Sequence, residues 1–253
     1  MSTPRIAVQM YTLRKEMKQD FQGTLKEIAK LGFDGVELAG YGGLTAIGLR
    51  DTLHDLGLKV AANHVPLADL ENKLDEVIEY QKILGNSHIV CPILPEDRQF
   101  EEDYEELIKT LNDVGEKCAQ AGITLSYHNH DFELVPLKDG RKPLSRILDE
   151  TNPEWVKAEF DVYWLTKAGE DPVEWLKAYE GRTPLIHLKD MTTDGEQFFA
   201  ELGAGGVDLQ RIFAQLEKSQ VEWWIIEQDQ CRQSPFKSVA KSLQYLKNKK
   251  VNI

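Results

Sequence analysis

Acidic and basic side chains stand at the ends of several apolar, strand-like runs in this chain. Asp161, His187 and Glu227 close three of these runs and offer one nitrogen and two carboxylate groups as ligands. A buried strand normally ends in a turn residue, because charged groups are costly to remove from water. If the runs are parallel barrel strands, their ends meet at one mouth and can hold one divalent cation, with Mn²⁺, Co²⁺, Mg²⁺ or Zn²⁺ suiting this ligand set. The alternative is that each residue caps a helix or pairs with a lysine.

The densest polar run at a strand-like end covers residues 128–133, His-Asn-His-Asp-Phe-Glu. His128 and His130 are two residues apart, so on a strand both side chains share one face. Either histidine, or Glu227, is a candidate general base that removes a proton from a substrate. Glu133 lies just past the strand and is a further candidate ligand for the cation. The alternatives are a hydrogen-bonded loop with one satisfied histidine and a solvated acid at Glu133.

A lysine and a further histidine stand at the same kind of position. Lys189 follows His187 by two residues and shares its predicted inward face, where an ammonium group stabilises a developing enolate oxygen. A structural ion pair of Lys189 with Glu227 or Asp161 is the alternative. His64 is a candidate for binding substrate hydroxyl groups, or else a packed, hydrogen-bonded side chain. Four of the six histidines thus stand at strand ends, and this clustering favours a functional site.

Weaker candidates for substrate binding lie at other strand ends. Gln9 and Tyr11 end the first run, and Glu37 ends the second, where it either meets substrate or ties strands together. Trp164 can stack on a sugar ring, although core packing is the commoner fate of such a side chain. The glycine-rich residues 203–206 follow the seventh run, where many barrels bind phosphate on backbone N–H groups. We prefer a tight turn there, because no arginine cluster accompanies the glycines.

Strand-like and helix-like stretches alternate along the chain without a composition break or a low-complexity linker. Eight such units are the number that closes a barrel, so we predict the α/β class and a single (β/α)8 TIM barrel over residues 1–253. A doubly wound open sheet is the alternative, but no GxGxxG follows the first strand. The predicted strands are Ile6–Tyr11, Asp34–Leu38, Lys59–His64, His88–Cys91, Ile123–His130, Val156–Asp161, Leu185–Lys189 and Trp223–Glu227. The predicted helices are Phe21–Leu31, Leu44–Leu56, Leu70–Leu84, Tyr104–Gln120, Leu144–Asp149, Pro172–Tyr179, Leu209–Glu217 and Pro235–Leu246.

Composition limits the classes of partner. Of the 253 residues, 42% are hydrophobic and 28% charged, which predicts a sizeable core and a well-solvated surface. The formal net charge of −12 argues against a nucleic-acid backbone as the main partner. We see no secretory signal and no membrane-spanning run, so we expect a cytoplasmic protein without a membrane partner. Cys91, Cys118 and Cys231 are odd in number and widely spaced, and we expect reduced thiols.

Six phrases that span nearly the whole chain, in order, make the sequence resemble a known superfamily. It is similar to the xylose isomerase-like barrel superfamily, and within it to the sugar phosphate isomerase/epimerase group that includes inosose dehydratases. The resemblance implies a divalent metal held by a carboxylate from strand five, an aspartate from strand six, a histidine or glutamine from strand seven and a glutamate from strand eight. The phrases are Val8–Arg14, Gly32–Leu38, Tyr127–His130, Phe160–Trp164, His187–Met191 and Ile226–Asp229.

Carried onto this sequence, the resemblance assigns metal binding to Asp161, His187 and Glu227. The strand-five position departs from the pattern, because epimerases of the superfamily usually have glutamate where His128 stands. Glu133 is the nearest glutamate able to substitute, and which side chain of this region is the ligand stays open. The departure brings the chain closer to dehydratase-like or lyase-like relatives with histidine-rich ends of strand five.

The functional hypothesis is a metal-dependent sugar isomerase or epimerase. The metal polarises the carbonyl of a keto-sugar or keto-cyclitol, and a mouth residue removes the adjacent proton to give an enediolate. Loss of a β-hydroxyl or β-glycosyl group from the same intermediate makes the enzyme a dehydratase or lyase, and the sequence does not choose between these outcomes. The expected partner is a small-molecule sugar or cyclitol, and a homo-oligomer is left open.

Two other classes of function are less favoured. An apurinic-endonuclease-like phosphodiesterase shares the barrel, but Trp164 stands where that class needs an additional histidine, and the acidic surface repels nucleic acid. A non-catalytic barrel that binds sugars is the third class, and an absence of metal binding would favour it.

Overall fold

The structure is a computed structural model that describes residues 4–250; residues 1–3 and 251–253, which the predicted domain limits include, lie outside the described residues. Eight parallel strands close into a barrel, and two short strands form a separate antiparallel pair. The predicted (β/α)8 fold is therefore confirmed. The strands are β1 (Arg5–Gln9), β2 (Gly35–Leu38), β3 (Lys59–His64), β4 (His88–Cys91), β5 (Thr124–His128), β6 (Val156–Asp161), β7 (Leu185–Leu188), β8 (Asp190–Met191), β9 (Phe199–Ala200) and β10 (Trp223–Ile226).

Strands β8 and β9 make the short pair, and β10 closes the barrel by pairing with β1 and β7. Helices surround the barrel, and short 3₁₀ turns lie over residues 10–13, 96–98 and 132–134. The α-helices are α1 (Arg14–Gln19), α2 (Phe21–Leu31), α3 (Ala46–Asp55), α4 (Leu67–Asn72), α5 (Leu74–Leu84), α6 (Glu101–Gln120), α7 (Pro143–Glu150), α8 (Val162–Lys167), α9 (Pro172–Ala178), α10 (Leu209–Leu216) and α11 (Pro235–Lys250).

Three helical regions differ from the sequence-based prediction, and the first is α1, which was not predicted. The predicted helix Leu70–Leu84 is in fact α4 and α5, separated at Lys73, whose φ of −138° is not helical. Helix α8 was not predicted, and it begins directly after β6. The carboxylate of Asp161 accepts the N–H groups of Tyr163 and Trp164 at 2.9 and 3.2 Å, which caps this helix.

Several predicted strands are too long at their carboxyl ends. In β1, the side chain of Gln9 accepts the N–H of Tyr11 at 2.9 Å and starts a 3₁₀ turn, so Tyr11 lies beyond the strand. His130, Lys189 and Glu227 likewise follow the strands that precede them. These residues sit on the first turn of each loop, at the rim of the barrel mouth, rather than within the sheet.

The barrel interior is apolar at its amino-terminal end and polar at its carboxyl end. The large ring of Trp223 fills the lower interior, opposite Gly35 on β2. A Cβ atom at Gly35 would lie 2.9 Å from that ring and 2.5 Å from the backbone oxygen of Lys59, so only glycine fits. The buried residues that share this interior cluster are Ala7, Ala61, Ala62, Val90, Leu185, Trp223 and Ile225.

The glycine-rich loop after β9 surrounds a side chain of the protein itself. The carboxylate of Asp190 accepts the N–H groups of Gly203, Gly205 and Val207 at 2.9 to 3.0 Å. A Cβ atom on Gly205 would lie 2.4 Å from that carboxylate. The loop is therefore a tight turn around an internal anion, in line with the preferred interpretation and not with a phosphate site.

The remaining global features concern cysteines and membranes. Cys91 and Cys118 are buried and Cys231 is partly buried, and all three are free thiols in the described part of the chain. Between residues 4 and 250, no helix combines the length and apolar character needed to cross a membrane.

Candidate active site

His187 occupies the centre of a buried cluster at the carboxyl end of the barrel. Its Nε2 atom lies 2.5 Å from Glu37 Oε2 and 3.3 Å from Glu159 Oε2. Its Nδ1 atom lies 3.0 Å from Glu227 Oε2 and 3.9 Å from Asp161 Oδ2. All five side chains are buried. One imidazole ring therefore joins carboxylates that come from opposite parts of the barrel wall.

The strand register brings these side chains together. Asp161 on β6 is the register partner of His187 on β7, and His128 on β5 is the partner of Glu159. Register partners on parallel strands point to the same face of the sheet, here the interior. A register shift between β2 and β3 falls beside Glu37, and such irregularities re-aim side chains near functional sites.

A second layer of hydrogen bonds holds the carboxylates in place. Gln9 Nε2 donates to Glu37 Oε2 at 2.8 Å. His64 Nε2 lies 2.8 Å from Glu159 Oε2 and 3.3 Å from Glu37 Oε2, so it joins the same two acids as His187. The acids are thereby fixed before any ligand arrives, which lowers the cost of ordering the site.

Four residues at the mouth have the spacing of a cation site. His128, Asp161, His187 and Glu227 place their ligand atoms within 4.8 Å of one another. Asp161 Oδ2 is buried and lies 2.8 Å from the ammonium of Lys189. The two imidazoles and two carboxylates of this group are mixed nitrogen and oxygen donors that fit a divalent cation.

An overlapping group with the same spacing combines His64, His128, Glu159 and His187. There, His64 and Glu159 already form a hydrogen bond of 2.8 Å. Neither residue was expected as a ligand. We favour the group that contains Asp161, because it offers two carboxylates to a divalent cation and the other group offers only Glu159.

Lys189 places its ammonium group among three carboxylates. Its Nζ atom lies 2.8 Å from Asp161 Oδ2, 2.5 Å from Glu227 Oε2 and 2.8 Å from Asp229 Oδ2. The side chain is 1% exposed and does not line the cavity above the cluster. These contacts are the ion pairs with Glu227 and Asp161 that the sequence left open as the alternative for Lys189, and its predicted action on an enolate oxygen stays a prediction.

The charges of the cluster follow from these contacts. Burial disfavours a charged His187, but Glu159, Glu37 and Glu227 outweigh it and raise the pKa of His187 well above its usual value. Burial likewise opposes a charge on Glu227, yet Lys189 and His187 hold the pKa of that carboxyl well below its usual range. An ionised Glu227 is a good metal ligand, and because its Oε2 atom already contacts His187 and Lys189, it is less suited to the predicted role of proton acceptor.

Two histidines facing the cavity have pKa values shifted in opposite directions. Burial and the nearby charge of Lys189 lower the pKa of His130 to about 3, which leaves a neutral ring at neutral pH. Burial would also lower the pKa of His64, but Glu37 and Glu159 raise it to about 10. When the pKa values of two groups in one site are separated in this way, the neutral group can act as a base and the protonated group as an acid.

The cavity above the cluster has a volume of about 730 Å³. Of the residues predicted to act on substrate, five line it: Tyr11, His64, His128, His130 and Glu227. His130 Nδ1 is buried and has no hydrogen-bond partner among residues 4–250. The candidate bases His128, His130 and Glu227 therefore line the cavity, whereas the candidate ligands Asp161 and His187 are completely buried next to them.

Three residues predicted to bind substrate do not reach the cavity. Gln9 and Glu37 are completely buried and bonded to each other, so we correct their role to support of the site. Trp164 packs against His130, with 5.4 Å between the two ring centroids, and is not among the residues that line the cavity.

Glu133 is outside the cation cluster. Tyr127 donates its hydroxyl to Glu133 Oε1 at 2.8 Å, and the backbone N–H of His130 donates to Oε2 at 2.8 Å. Both oxygens are therefore used to hold the loop after β5. The structure places His128, rather than Glu133, beside the other candidate ligands.

Glu159 is the cluster residue that sequence reasoning missed. It lies within β6, two residues before Asp161, and is fully buried. The same rule of alternation that joined His128 to His130 would have found it, because Glu159 and Asp161 must share a face. The strand-end rule selects only the last residue of β6, so it misses the acid two positions before it on the same face.

The fold and this site define a class of protein, a (β/α)8 barrel with a buried histidine and carboxylate cluster at its mouth. The profile of the family described as xylose isomerase-like TIM barrel matches residues 25–249. The chain belongs to this family.

Named relatives agree with the family. An inosose dehydratase from Clostridium beijerinckii is 27% identical, and the match covers 79% of this chain and 68% of the relative. An inosose dehydratase from Clostridium botulinum is 26% identical over 90% of this chain and 89% of the relative. The crystal structure of a sugar phosphate isomerase/epimerase from Parabacteroides distasonis has a TM-score of 0.80 and 25% identity, covering 97% of this chain and 94% of that one. These matches support a sugar-modifying enzyme.

Proposed function

We propose that the protein is a metal-dependent enzyme that removes the proton next to the carbonyl of a keto-sugar or keto-cyclitol. The observation that carries the proposal is the convergence of His128, Asp161, His187 and Glu227, whose ligand atoms lie within 4.8 Å of one another. His128 and Glu227 of this group also line the cavity. When bound, a divalent cation would polarise the carbonyl and stabilise negative charge on its oxygen.

His130 is the proposed base. Its ring is neutral at neutral pH and lines the cavity. Removal of the proton by His130 leaves the substrate as an enediolate. The ring of Trp164 packs beside that of His130, with 5.4 Å between the ring centroids, and restricts its orientation.

Dehydration is the outcome that we favour. His64 lines the same cavity and carries a proton at neutral pH, because its pKa is raised to about 10. It can give that proton to a departing β-hydroxyl group, so that the group leaves as water while His130 holds the proton taken from carbon. The relatives named inosose dehydratase support this assignment.

Epimerisation or isomerisation is the second candidate. It shares the first step and returns the proton to another face or carbon instead of expelling a hydroxyl group. The similar structure from Parabacteroides distasonis, which is a sugar phosphate isomerase/epimerase, favours this alternative.

Solvent exchange tests the shared step. The protein is stripped of metal, loaded with Mn²⁺, Co²⁺, Mg²⁺ or Zn²⁺, and incubated in deuterium oxide with inososes and keto-hexoses. We expect metal-dependent deuterium incorporation beside the carbonyl of at least one compound, and an absorbing enone where dehydration follows. A protein that binds these metals yet exchanges no proton in any of the compounds would contradict the proposal. The variant Glu227→Gln is the control, since it removes a ligand and should abolish exchange.

A further inference from the structure

The cavity continues well beyond the catalytic cluster. From the cluster it runs sideways over the loops after β2, β3 and β4 to the face of α4 and α5. Its volume of about 730 Å³ lies in the range of roughly 300–1,000 Å³ that holds drug-sized ligands. A single sugar or cyclitol ring is far smaller than such ligands. One ring bound at the cluster therefore leaves the lateral part of the cavity unused.

The wall of this lateral extension is rigid. The rings of Tyr41 and Tyr80 stack with centroids 3.9 Å apart. The hydroxyl of Tyr41 accepts hydrogen bonds from Asn63 at 2.9 Å and Gln81 at 3.0 Å, and Tyr80 donates its own hydroxyl to a backbone oxygen. The polar ends of both rings are thus satisfied within the protein, and they present a fixed surface to a ligand.

The chemistry of the extension is mainly apolar. Its lining includes the aliphatic side chains of Val65, Val77 and Ile93, and Ile93 is 38% exposed. The charged residues Asp69, Lys73 and Glu76 also line it. Asp69 and Lys73 pair with each other at 3.0 Å, and Glu76 is exposed. An apolar floor offers few partners for sugar hydroxyls, whose burial without hydrogen bonds is costly. A ring with little polarity suits this surface better than a second sugar.

We propose that the extension is a subsite for an apolar, ring-shaped aglycone, so that the substrate is a keto-sugar in glycosidic linkage. This inference rests on the proposed function, because it places the sugar carbonyl at the cluster of His128, Asp161, His187 and Glu227. The aglycone lies against Ile93 and the α5 face.

The test compares methyl and phenyl glycosides of one keto-glucose. Binding is measured by calorimetry on the metal-loaded protein, and deuterium exchange is measured separately. We expect the phenyl glycoside to bind about 10-fold tighter than the methyl glycoside, because it buries the apolar ring. In the variant Ile93→Trp, which fills the extension, this ratio should fall toward one. The matched control is Ile47→Trp, an exposed position on α3 that does not line the cavity, and it should keep the wild-type ratio.

The outcomes separate the two proposals. The aglycone subsite would be overturned if both glycosides bind equally, or if Ile93→Trp leaves the ratio of their affinities unchanged. This holds even if deuterium exchange occurs. Tighter binding of a keto-disaccharide than of the phenyl glycoside would also overturn it, in favour of a second sugar. Selective binding of the phenyl glycoside without exchange of its proton would support the subsite and contradict the proposed chemistry.

Discussion

Glu37 Oε2 lies 2.5 Å from Nε2 of His187, while Nδ1 of the same ring faces Asp161 and Glu227. Histidines that bind metals commonly use one nitrogen as ligand and donate the other N–H to a carboxylate. The geometry around His187 has this form, with Glu37 as the carboxylate that fixes the ring. Gln9 donates to the same oxygen of Glu37 and holds it in turn.

The first prediction follows from this pair. Glu37→Gln should weaken the binding of Mn²⁺ or Zn²⁺ by about 10- to 100-fold, because the amide orients His187 less firmly and lowers its basicity. Competition with a chelating dye measures the change. Glu27→Gln, which alters an exposed acid paired with Lys30, is the matched control and should bind metal as the wild type does. Unchanged affinity in Glu37→Gln would show that the pair has no part in metal binding.

The second prediction separates proton removal from loss of the hydroxyl group. His130→Gln should reduce deuterium exchange by about 10²- to 10⁴-fold, which is the usual contribution of a general base. His64→Gln should retain exchange and lose dehydration, because only the proton donor is gone. Nuclear magnetic resonance follows exchange, and absorbance follows the enone. If both variants lose both activities equally, the two histidines do not have the separate roles that we assign.

The third prediction concerns the buried ammonium of Lys189. Lys189→Met leaves Asp161, Glu227 and Asp229 without their shared cation, and breaking a buried ion pair costs roughly 3–5 kcal/mol. We expect urea unfolding to show that the free energy of unfolding of the metal-free variant is lower than that of the wild type by an amount of this order. A divalent metal should restore more stability to the variant than it adds to the wild type, because it supplies the missing charge.

Lys167→Met provides the control for the lysine substitution. Lys167 pairs with Asp131 at 2.9 Å, and both side chains are about one third exposed. Partly exposed pairs of this kind contribute about 0–1 kcal/mol, so this variant should be close to the wild type. Similar unfolding midpoints for both lysine variants would contradict the ion-pairing role of Lys189.

Much of the fold was accessible from sequence because it depends on local alternation. Each apolar run followed by a helical stretch predicts one strand–helix unit of a barrel. A chain with eight such units is compatible with few other folds. The strand-end rule likewise found Asp161, His187 and Glu227, since a barrel places all such ends at one mouth. The exact strand ends were missed where a side chain redirects the backbone, as Gln9 does before Tyr11.

The supporting layer of the site was harder to predict. Glu37 and Glu159 act through His187 and His64, and these contacts join residues that are up to 150 positions apart. No local sequence pattern predicts contacts between residues so far apart in the chain, because these contacts form only when the barrel closes. The lateral extension of the cavity was also invisible in the sequence, because it depends on how the loops after three strands pack against α4 and α5.

The last prediction uses Glu133. Burial raises the pKa of this carboxyl from 4.5 to about 7, although the hydroxyl of Tyr127 opposes the shift. A pKa raised in the folded state adds stability below pH 4.5 that is lost as the pH rises through 7. Relative to Glu133→Gln, the free energy of unfolding of the wild type should therefore fall by about 3 kcal/mol as the pH rises between these values. Urea unfolding of both metal-free proteins at pH 4.5 and 8 measures the difference. If the unfolding free energies of the two proteins change equally between pH 4.5 and 8, the raised pKa of Glu133 is contradicted. Weaker metal binding by Glu133→Gln would return Glu133 to the candidate metal ligands.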